Sequence, residues 1–168
     1  METMRQNKNA GFTLVELIIV VVIISILSAG TVIGVSAIYN ANVDSASRKL
    51  VSMLMGTRQE AILRENGSVR MELYQDTNGD YYAATFFRDA LGDHELENHK
   101  IGNSFLKLKV QVTGSAQIVI SQAAGVEASF HFEKSSGGLQ ENYSDIFVEG
   151  SQTKNIIIIK ETGRSFIN

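Results

Sequence analysis

The stretch that decides the fold runs Lys8-Asn9-Ala10-Gly11-Phe12-Thr13-Leu14-Val15-Glu16-Leu17. It places one carboxylate, Glu16, at the start of an otherwise uncharged apolar run, because the next formal charge along the chain is Asp44. A carboxylate at membrane depth costs about 2.5 to 3.5 kcal/mol on insertion scales, so a residue of this kind is a functional-site hypothesis whose partner has to be named. The partner that we expect for Glu16 is an amine.

The residues around and after Glu16 predict a membrane-spanning helix over about residues 14–38. About 20 apolar residues at a rise of 1.5 Å per residue cover a hydrocarbon core of about 30 Å. Arg5 and Lys8 precede this segment, and a basic flank stays in the cytoplasm. We therefore expect a single-pass membrane protein whose residues from Asp44 onward lie outside the cytoplasm.

Two simpler interpretations of this N-terminus compete. A secretory signal peptide needs a basic region, an apolar core and a small-residue cleavage site, which Ser28-Ala29-Gly30 could supply. Glu16 lies early in the apolar core and disfavours that interpretation. An uncleaved signal anchor explains the hydrophobicity and leaves Glu16 without a purpose.

The segment Gly11-Phe12-Thr13-Leu14-Val15-Glu16-Leu17 resembles the class III leader junction of type IV prepilins and pseudopilins. In that family a prepilin peptidase cuts between the Gly and the Phe and methylates the new amino terminus. The resemblance implies that residues 1–11 are a leader peptide, that cleavage falls between Gly11 and Phe12, and that Phe12 is N-methylated. It also implies that Glu16 acts in filament assembly and that the anchor lies in the cytoplasmic (inner) membrane.

In such a protein the carboxylate of Glu16 could pair with the new terminal amine. Cleavage after Gly11 would leave a cationic amine on Phe12, and residues four apart lie on one face of a helix. The amine and the carboxylate could meet within one subunit or between neighbours, and the need for pairing can fix their register. A carboxylate is also favoured in the first turn of any helix, but that does not explain the Gly-Phe junction.

Composition narrows the possible functions. The 15 basic and 18 acidic residues give a net charge of −3, so no overall field attracts nucleic acid, and we expect no nucleic-acid partner. Cysteine is absent, which excludes disulfides and thiolate metal sites. No nucleophile, base and orienting group occur at a spacing typical of catalysis, so we expect neither an enzyme nor a cofactor.

A helical stalk is predicted over residues 12–66. Gly30 and Gly34 are its helix-weakening positions, each costing about 1 kcal/mol relative to Ala, and we expect any flexibility there. Asn66-Gly67 supplies a stop signal. Beyond the span, apolar residues recur at three and four and predict one buried face. These residues are Val43, Ala46, Leu50, Met53, Leu54, Thr57, Ala61 and Ile62.

Residues 67–168 are predicted to form a β-rich globular head. Alternating residues on either side of Asp76-Thr77-Asn78-Gly79-Asp80 predict a hairpin over residues 68–88. Further strands are predicted at 105–112, 116–120, 129–133, 146–149, 156–160 and 165–167. The fold class is therefore α+β, with a long N-terminal helix, membrane-spanning in its first half, packed on an antiparallel β domain.

Three weaker site candidates lie in the head. Asp76, Asn78 and Asp80 have oxygen ligands at alternate positions, as calcium loops do, but the later ligands are missing and a hairpin turn is favoured. His94 and His99 lie in an acidic run that we interpret as a solvated loop without metal. The cluster of Lys100, Lys107 and Lys109 is interpreted as a strand face without DNA contacts.

The order of elements resembles the H-type minor pseudopilins of type II secretion and related minor pilins. The head residues that carry this resemblance are Phe130-His131-Phe132 before Gly137-Gly138, and Ile156-Ile157-Ile158-Ile159 before Gly163-Arg164. It implies a minor filament subunit of a pilus, a secretion pseudopilus or a competence fibre. Its partners would be prepilin peptidase, other pilin or pseudopilin subunits and the membrane assembly platform. The alternative is a tip binding module, either an adhesin or a DNA-capture subunit of a competence pilus.

Overall fold

The computed structural model describes residues 12–64, 67–123 and 127–168, and leaves the side chains of residues 29–39 outside this description. These residues contain one helix followed by nine strands. In chain order they are α1 (Leu14–Leu63), β1 (Ser68–Gln75), β2 (Tyr81–Asp89), β3 (Gly92–Gly102), β4 (Lys107–Val112), β5 (Gln117–Val119), β6 (Ala128–His131), β7 (Tyr143–Glu149), β8 (Thr153–Ile159) and β9 (Arg164–Ile167).

The chain divides into two compact units, residues 1–37 and residues 38–168. The second unit contains the later part of α1 and all nine of these strands. The proposed division into a leader (1–11), a stalk (12–66) and a head (67–168) stays a prediction.

The later part of α1 buries one face against the sheets of the second unit. The predicted positions Val43, Ala46, Leu50, Met53, Leu54, Thr57 and Ala61 are all buried. Ile62 was predicted to belong to this face, and that prediction is wrong, because its side chain is 39% exposed. Ser47 is fully buried instead, and its hydroxyl donates to the carbonyl of Val43 at 2.8 Å, which satisfies it within the helix.

The helix ends earlier than its stop signal predicts. α1 ends at Leu63, and Asn66 lies outside the described residues. Gly67 has a φ of +89°, and a Cβ at this position would lie 2.2 Å from the carbonyl oxygen of Arg88. Glycine is therefore required at this turn both for its conformation and for the close approach of the backbone.

The strands form two antiparallel sheets. The first has the order β3-β2-β1-β6 and the second has the order β5-β4-β7-β8-β9. The predicted hairpin over residues 68–88 is confirmed as β1 and β2, in a register that pairs Ser68 with Arg88 and Gln75 with Tyr81. The other predicted strands correspond to β4 to β9, with ends that differ by no more than three residues.

Strand β3 contradicts one prediction. The acidic run Asp93–His99 was interpreted as a solvated loop, whereas it lies inside β3 and pairs with β2. The sequence does not identify this run as a strand because β3 lies at the edge of its sheet. Most of its side chains are exposed, so its sequence lacks the usual apolar alternation. Register shifts opposite Tyr81/Tyr82 and Thr85/Phe86 also interrupt its period.

One hydrophobic core joins the helix to both sheets. Leu50 and Leu54 of α1, Met71 of β1, and Leu108 and Ile146 of the second sheet all have no exposed surface. The described structure is thus α+β, a helix packed with antiparallel sheets, as the sequence predicts. The head is stabilised chiefly by this shared apolar burial.

The β2–β3 hairpin is held by a carboxylate between two guanidinium groups. Both oxygens of Asp93 accept hydrogen bonds from Arg70, at 3.0 and 3.1 Å, and from Arg88, at 2.8 and 3.1 Å. The hydrogen bonds from Arg70, followed by those from Arg88, lower the pKa of Asp93. The ionised form is therefore favoured in the folded protein.

A pH dependence follows from this lowered pKa. The unfolded state binds the proton more readily, so the stabilisation by Asp93 is present above its ordinary pKa of 3.8 and is lost as the pH falls through the lowered value. We expect Asp93→Asn to lower Tm by a few degrees at pH 7, and we expect the difference from wild type to shrink as the pH falls below 3.8. Thermal melting between pH 7 and pH 2 measures this, with Glu161→Gln as an exposed control. A difference that stays constant with pH would contradict it.

Candidate functional site

The first turn of α1 contains a capping arrangement around Glu16. The hydroxyl of Thr13 accepts a hydrogen bond from the amide of Glu16 at 3.2 Å, and the carbonyl of Thr13 accepts one from Leu17 at 3.2 Å. Thr13 is therefore the N-cap, and Glu16 is the third helical residue, where a carboxylate is favoured by the helix dipole. Thr13 was not identified from the sequence, although Thr-x-x-Glu is the spacing of a capping box.

The helix start changes the expected geometry of the Phe12–Glu16 pair. The expectation of one shared helix face needs both residues to be helical, whereas α1 begins at Leu14 and Phe12 precedes it. Phe12 is 83% exposed, and Glu16 is also exposed. The pairing of the two stays a prediction, and an amine on Phe12 would approach the carboxylate from before the first turn.

The residues that follow Glu16 form an exposed aliphatic surface. Large side chains from Leu14 to Leu27 have exposures between 48% for Val20 and 76% for Leu14. The two serines in this region satisfy their hydroxyls inside the helix: Ser25 donates to Val21 and Ser28 to Ile24, each at 2.7 Å. Exposure of such a surface to water is unfavourable in free energy. We therefore expect it to contact an apolar partner, either lipid or other helices.

Several predicted residues fall outside this geometry. Gly11 and the rest of residues 1–11 lie outside the described residues. Gly30 and Gly34 lie within α1, and flexibility at these positions stays a prediction. In the part of the chain that the structure describes, we find no helix whose length and apolarity suffice to cross a membrane.

The candidate calcium loop is a hairpin turn. One carboxylate oxygen of Asp76 accepts from the amides of Asn78, at 2.9 Å, and Asp80, at 2.8 Å. Gly79 has a φ of +84°, and Asp80 forms an ion pair with Lys100. The side chains are thus engaged by the turn, and over residues 12–64, 67–123 and 127–168 no group of acidic or histidine residues is arranged to hold a metal ion.

The remaining candidates in the head are separated or paired. Lys100 lies on β3 of the first sheet, whereas Lys107 and Lys109 lie on β4 of the second. Lys109 forms an ion pair with Glu149 at 2.7 Å. His94 lies 3.2 Å from Asp89, and His99 lies 3.6 Å from Glu97, so the two histidines lie next to different carboxylates. These groups do not converge on a ligand site.

Comparison with known proteins identifies the N-terminal region alone. A family model for the prokaryotic N-terminal methylation motif matches residues 6–32, which include the Gly11–Phe12 junction and Glu16. No curated protein and no solved structure gives a match to the chain. The motif supports a type IV pilin-like protein that is processed at its leader.

Proposed function

We propose that this protein is a minor pilin or pseudopilin subunit of a type IV pilus or of a type II secretion-like filament. Prepilin peptidase cuts between Gly11 and Phe12 and methylates the amine of Phe12. Residues of about 14–38 anchor the subunit in the cytoplasmic (inner) membrane, and the head lies outside the cytoplasm. The subunit then enters a filament through its N-terminal helix and has no enzymatic role.

The observation that carries this proposal is the methylation-motif match over residues 6–32. Two structural features support it. The helix after Glu16 presents aliphatic side chains that need an apolar partner, as a helix does that moves from lipid into a bundle of other helices. The same helix continues to Leu63 and buries its later face in the head, so an anchored helix carries a folded domain.

Glu16 acts in this proposal as the residue that sets the register of assembly. A lone carboxylate in an apolar bundle is costly, while one that is paired and hydrogen-bonded is tolerated. The amine on Phe12 of a neighbouring subunit is the matching group. Thr13 caps the helix start and so fixes the backbone from which the Glu16 side chain projects.

The proposed partners are prepilin peptidase, other pilin or pseudopilin subunits and the membrane assembly platform. The resemblance of the head to H-type minor pseudopilins supports a low-copy position near the filament tip. The net charge of −3 gives no overall attraction for nucleic acid, and Arg70, Arg88, Lys100 and Lys109 are engaged in ion pairs, so we propose no nucleic-acid partner.

Glu16→Gln tests this role of the carboxylate. The change keeps the size of the side chain and removes its charge, so we expect normal export and a normal Phe12 terminus. Incorporation into filaments should fall at least about tenfold, the factor that corresponds to about 1.4 kcal/mol of lost pairing. The ratio of subunit in sheared filaments to subunit in membranes measures the effect.

Glu161→Gln, which removes an exposed carboxylate from the head, is the matched control and should incorporate normally. Wild-type incorporation of Glu16→Gln would show that the charge has no part in assembly. Loss of the Phe12 terminus in this variant would instead place Glu16 in processing.

A further inference from the structure

We propose that the loop formed by residues 103–106 docks into the surface of the membrane that anchors the subunit, with the ring of Phe105 in the lipid interface and Lys107 beside the lipid phosphates. The inference rests on the proposed function, because it needs the membrane span over about residues 14–38. It goes beyond that function by assigning the head a lipid contact of its own. This contact holds the head against the bilayer before the subunit enters a filament.

Chain connectivity brings one end of the head to the membrane. The second unit begins at Ile38, where the proposed span stops, and α1 continues through it. At a rise of 1.5 Å per residue, residues 40–44 lie within about 9 Å of the end of the span, whatever the tilt of the helix. The polar layer on each side of the hydrocarbon core is about 5 to 7 Å thick. Residues 40–44 are therefore at or just above the lipid headgroups.

Contacts within the second unit place the loop at this same end. In the turn after β7, the hydroxyl of Ser151 donates to the side-chain oxygen of Asn40 at 2.5 Å. Lys107, the first residue of β4, pairs in register with Glu149, the last residue of β7. Phe105 comes two residues before Lys107, so the loop and the turn after β7 lie at one end of the second sheet.

The loop has an internally bonded backbone and one outward apolar ring. Leu106 is 3% exposed and belongs to the core, and its amide donates to the carbonyl of Asn103 at 3.0 Å. The amide of Phe105 donates to the side-chain oxygen of Asn103 at 3.3 Å. The side chain of Phe105 is 66% exposed, against 46% for Phe166 on β9. Phenylalanine is among the side chains that membrane-surface elements bury at the headgroup boundary.

The carboxylates at this end are already engaged within the protein, which leaves Lys107 to face the lipid. The ion pairs join Asp44 to Lys154, Asp80 to Lys100 and Glu149 to Lys109. Lys107 is exposed and forms no ion pair within residues 12–64, 67–123 and 127–168. A lysine near the surface attracts anionic lipids, and its long stem lets the amine reach the phosphates.

One ring is sufficient because the span already holds the loop at the bilayer surface. Attachment makes the docking step intramolecular, so the loop meets lipid at a high effective concentration. A lone aromatic side chain would bind a free protein to membranes only weakly. On an anchored head the same side chain shifts the population toward the docked orientation.

Tryptophan fluorescence tests the contact in the full chain, because the sequence contains no tryptophan. Phe105→Trp, Leu91→Trp and Val22→Trp each introduce a single indole. The variants are reconstituted into vesicles of phosphatidylcholine and phosphatidylglycerol, with or without bromine near the headgroup end of the acyl chains. Bromine quenches an indole that it contacts. We expect Phe105→Trp to lose at least about half of its fluorescence in brominated vesicles, because docking places the ring about 5 to 10 Å into the headgroup boundary.

Leu91→Trp is the matched control in the head, because Leu91 is 89% exposed and lies just after the last residue of β2. The loop lies near the opposite end of β2, where a Cβ on Gly79 would be 3.0 Å from the Cβ of Ser104. The nine residues of β2, at about 3.3 Å each, separate the two ends by about 25 Å. Leu91→Trp should therefore keep its fluorescence, whereas Val22→Trp in the proposed span should be quenched.

Quenching of Val22→Trp without quenching of Phe105→Trp would overturn the inference, leave the span intact and make the loop available to a protein neighbour. Equal quenching of Phe105→Trp and Leu91→Trp would also overturn it. An unquenched Val22→Trp would overturn the proposed span and the inference with it. Adding Lys107→Glu to Phe105→Trp should restore at least about half of the lost fluorescence in these anionic vesicles. An unchanged signal would overturn the role of Lys107.

Discussion

Gly11→Val is expected to block processing almost completely. The proposed peptidase cuts the bond after Gly11, and a branched side chain at this position hinders the close approach of the backbone that glycine allows. The mature protein would then keep residues 1–11 and have no amine on Phe12. Intact mass and terminal sequencing of the membrane-extracted protein measure this result.

Thr3→Val is the matched control, because it also introduces a β-branched apolar side chain into the leader but lies outside residues 6–32. It should be processed normally. If Gly11→Val yielded a chain that starts at Phe12, the proposed cleavage site would be wrong. Filament incorporation should fail together with processing, because the amine of Phe12, which is the proposed partner of Glu16, is never released.

Phe130→Ala is expected to be the most destabilising single truncation in the head. Phe130 has no exposed surface and lies on β6 of the first sheet, while its ring lies 5.0 Å from that of Tyr143 on β7 of the second. It therefore bridges the two sheets, and its removal leaves a cavity between them. We expect a loss of about 3 to 5 kcal/mol in the free energy of unfolding.

Urea unfolding followed by circular dichroism measures this loss in the full chain. Phe166→Ala is the matched control, because Phe166 is 46% exposed on the edge strand β9, and we expect a loss of only about 1 kcal/mol. Equal losses in the two variants would show that Phe130 does not join the sheets. A lower slope with urea in Phe130→Ala alone would indicate that the sheets separate before global unfolding.

The helix and the regular hairpins could be predicted from the sequence because their signals are local. The buried face from Val43 to Ala61 follows from a period of three to four, and β1 and β2 follow from alternation around a turn at Asp76. Ile62 shows the limit of this reasoning. A periodic pattern identifies an apolar stripe, but the head covers Ile62 only in part and leaves it 39% exposed.

The candidate site was predictable in part for the same reason. Glu16 stands out by its charge and the Gly11–Phe12 junction by its spacing, and both lie in one short stretch. Thr13 could have been found from its Thr-x-x-Glu spacing with Glu16. The start of the helix at Leu14 follows from that N-cap, because the first helical residue comes directly after it.

Sequence alone determined the class of N-terminus, the α+β composition and the absence of disulfides, because each depends on neighbouring residues or on residue counts. Tertiary structure alone decided that the charged run 92–102 is a strand, that the strands divide into two sheets and that Tyr74 lies beside Tyr82. The division into two sheets depends on partners far apart in the chain, such as β1 and β6, whereas the other two features depend on the register of neighbouring strands. Pairing with β2 stabilises β3, although the sequence of β3 lacks the apolar alternation that is typical of a strand.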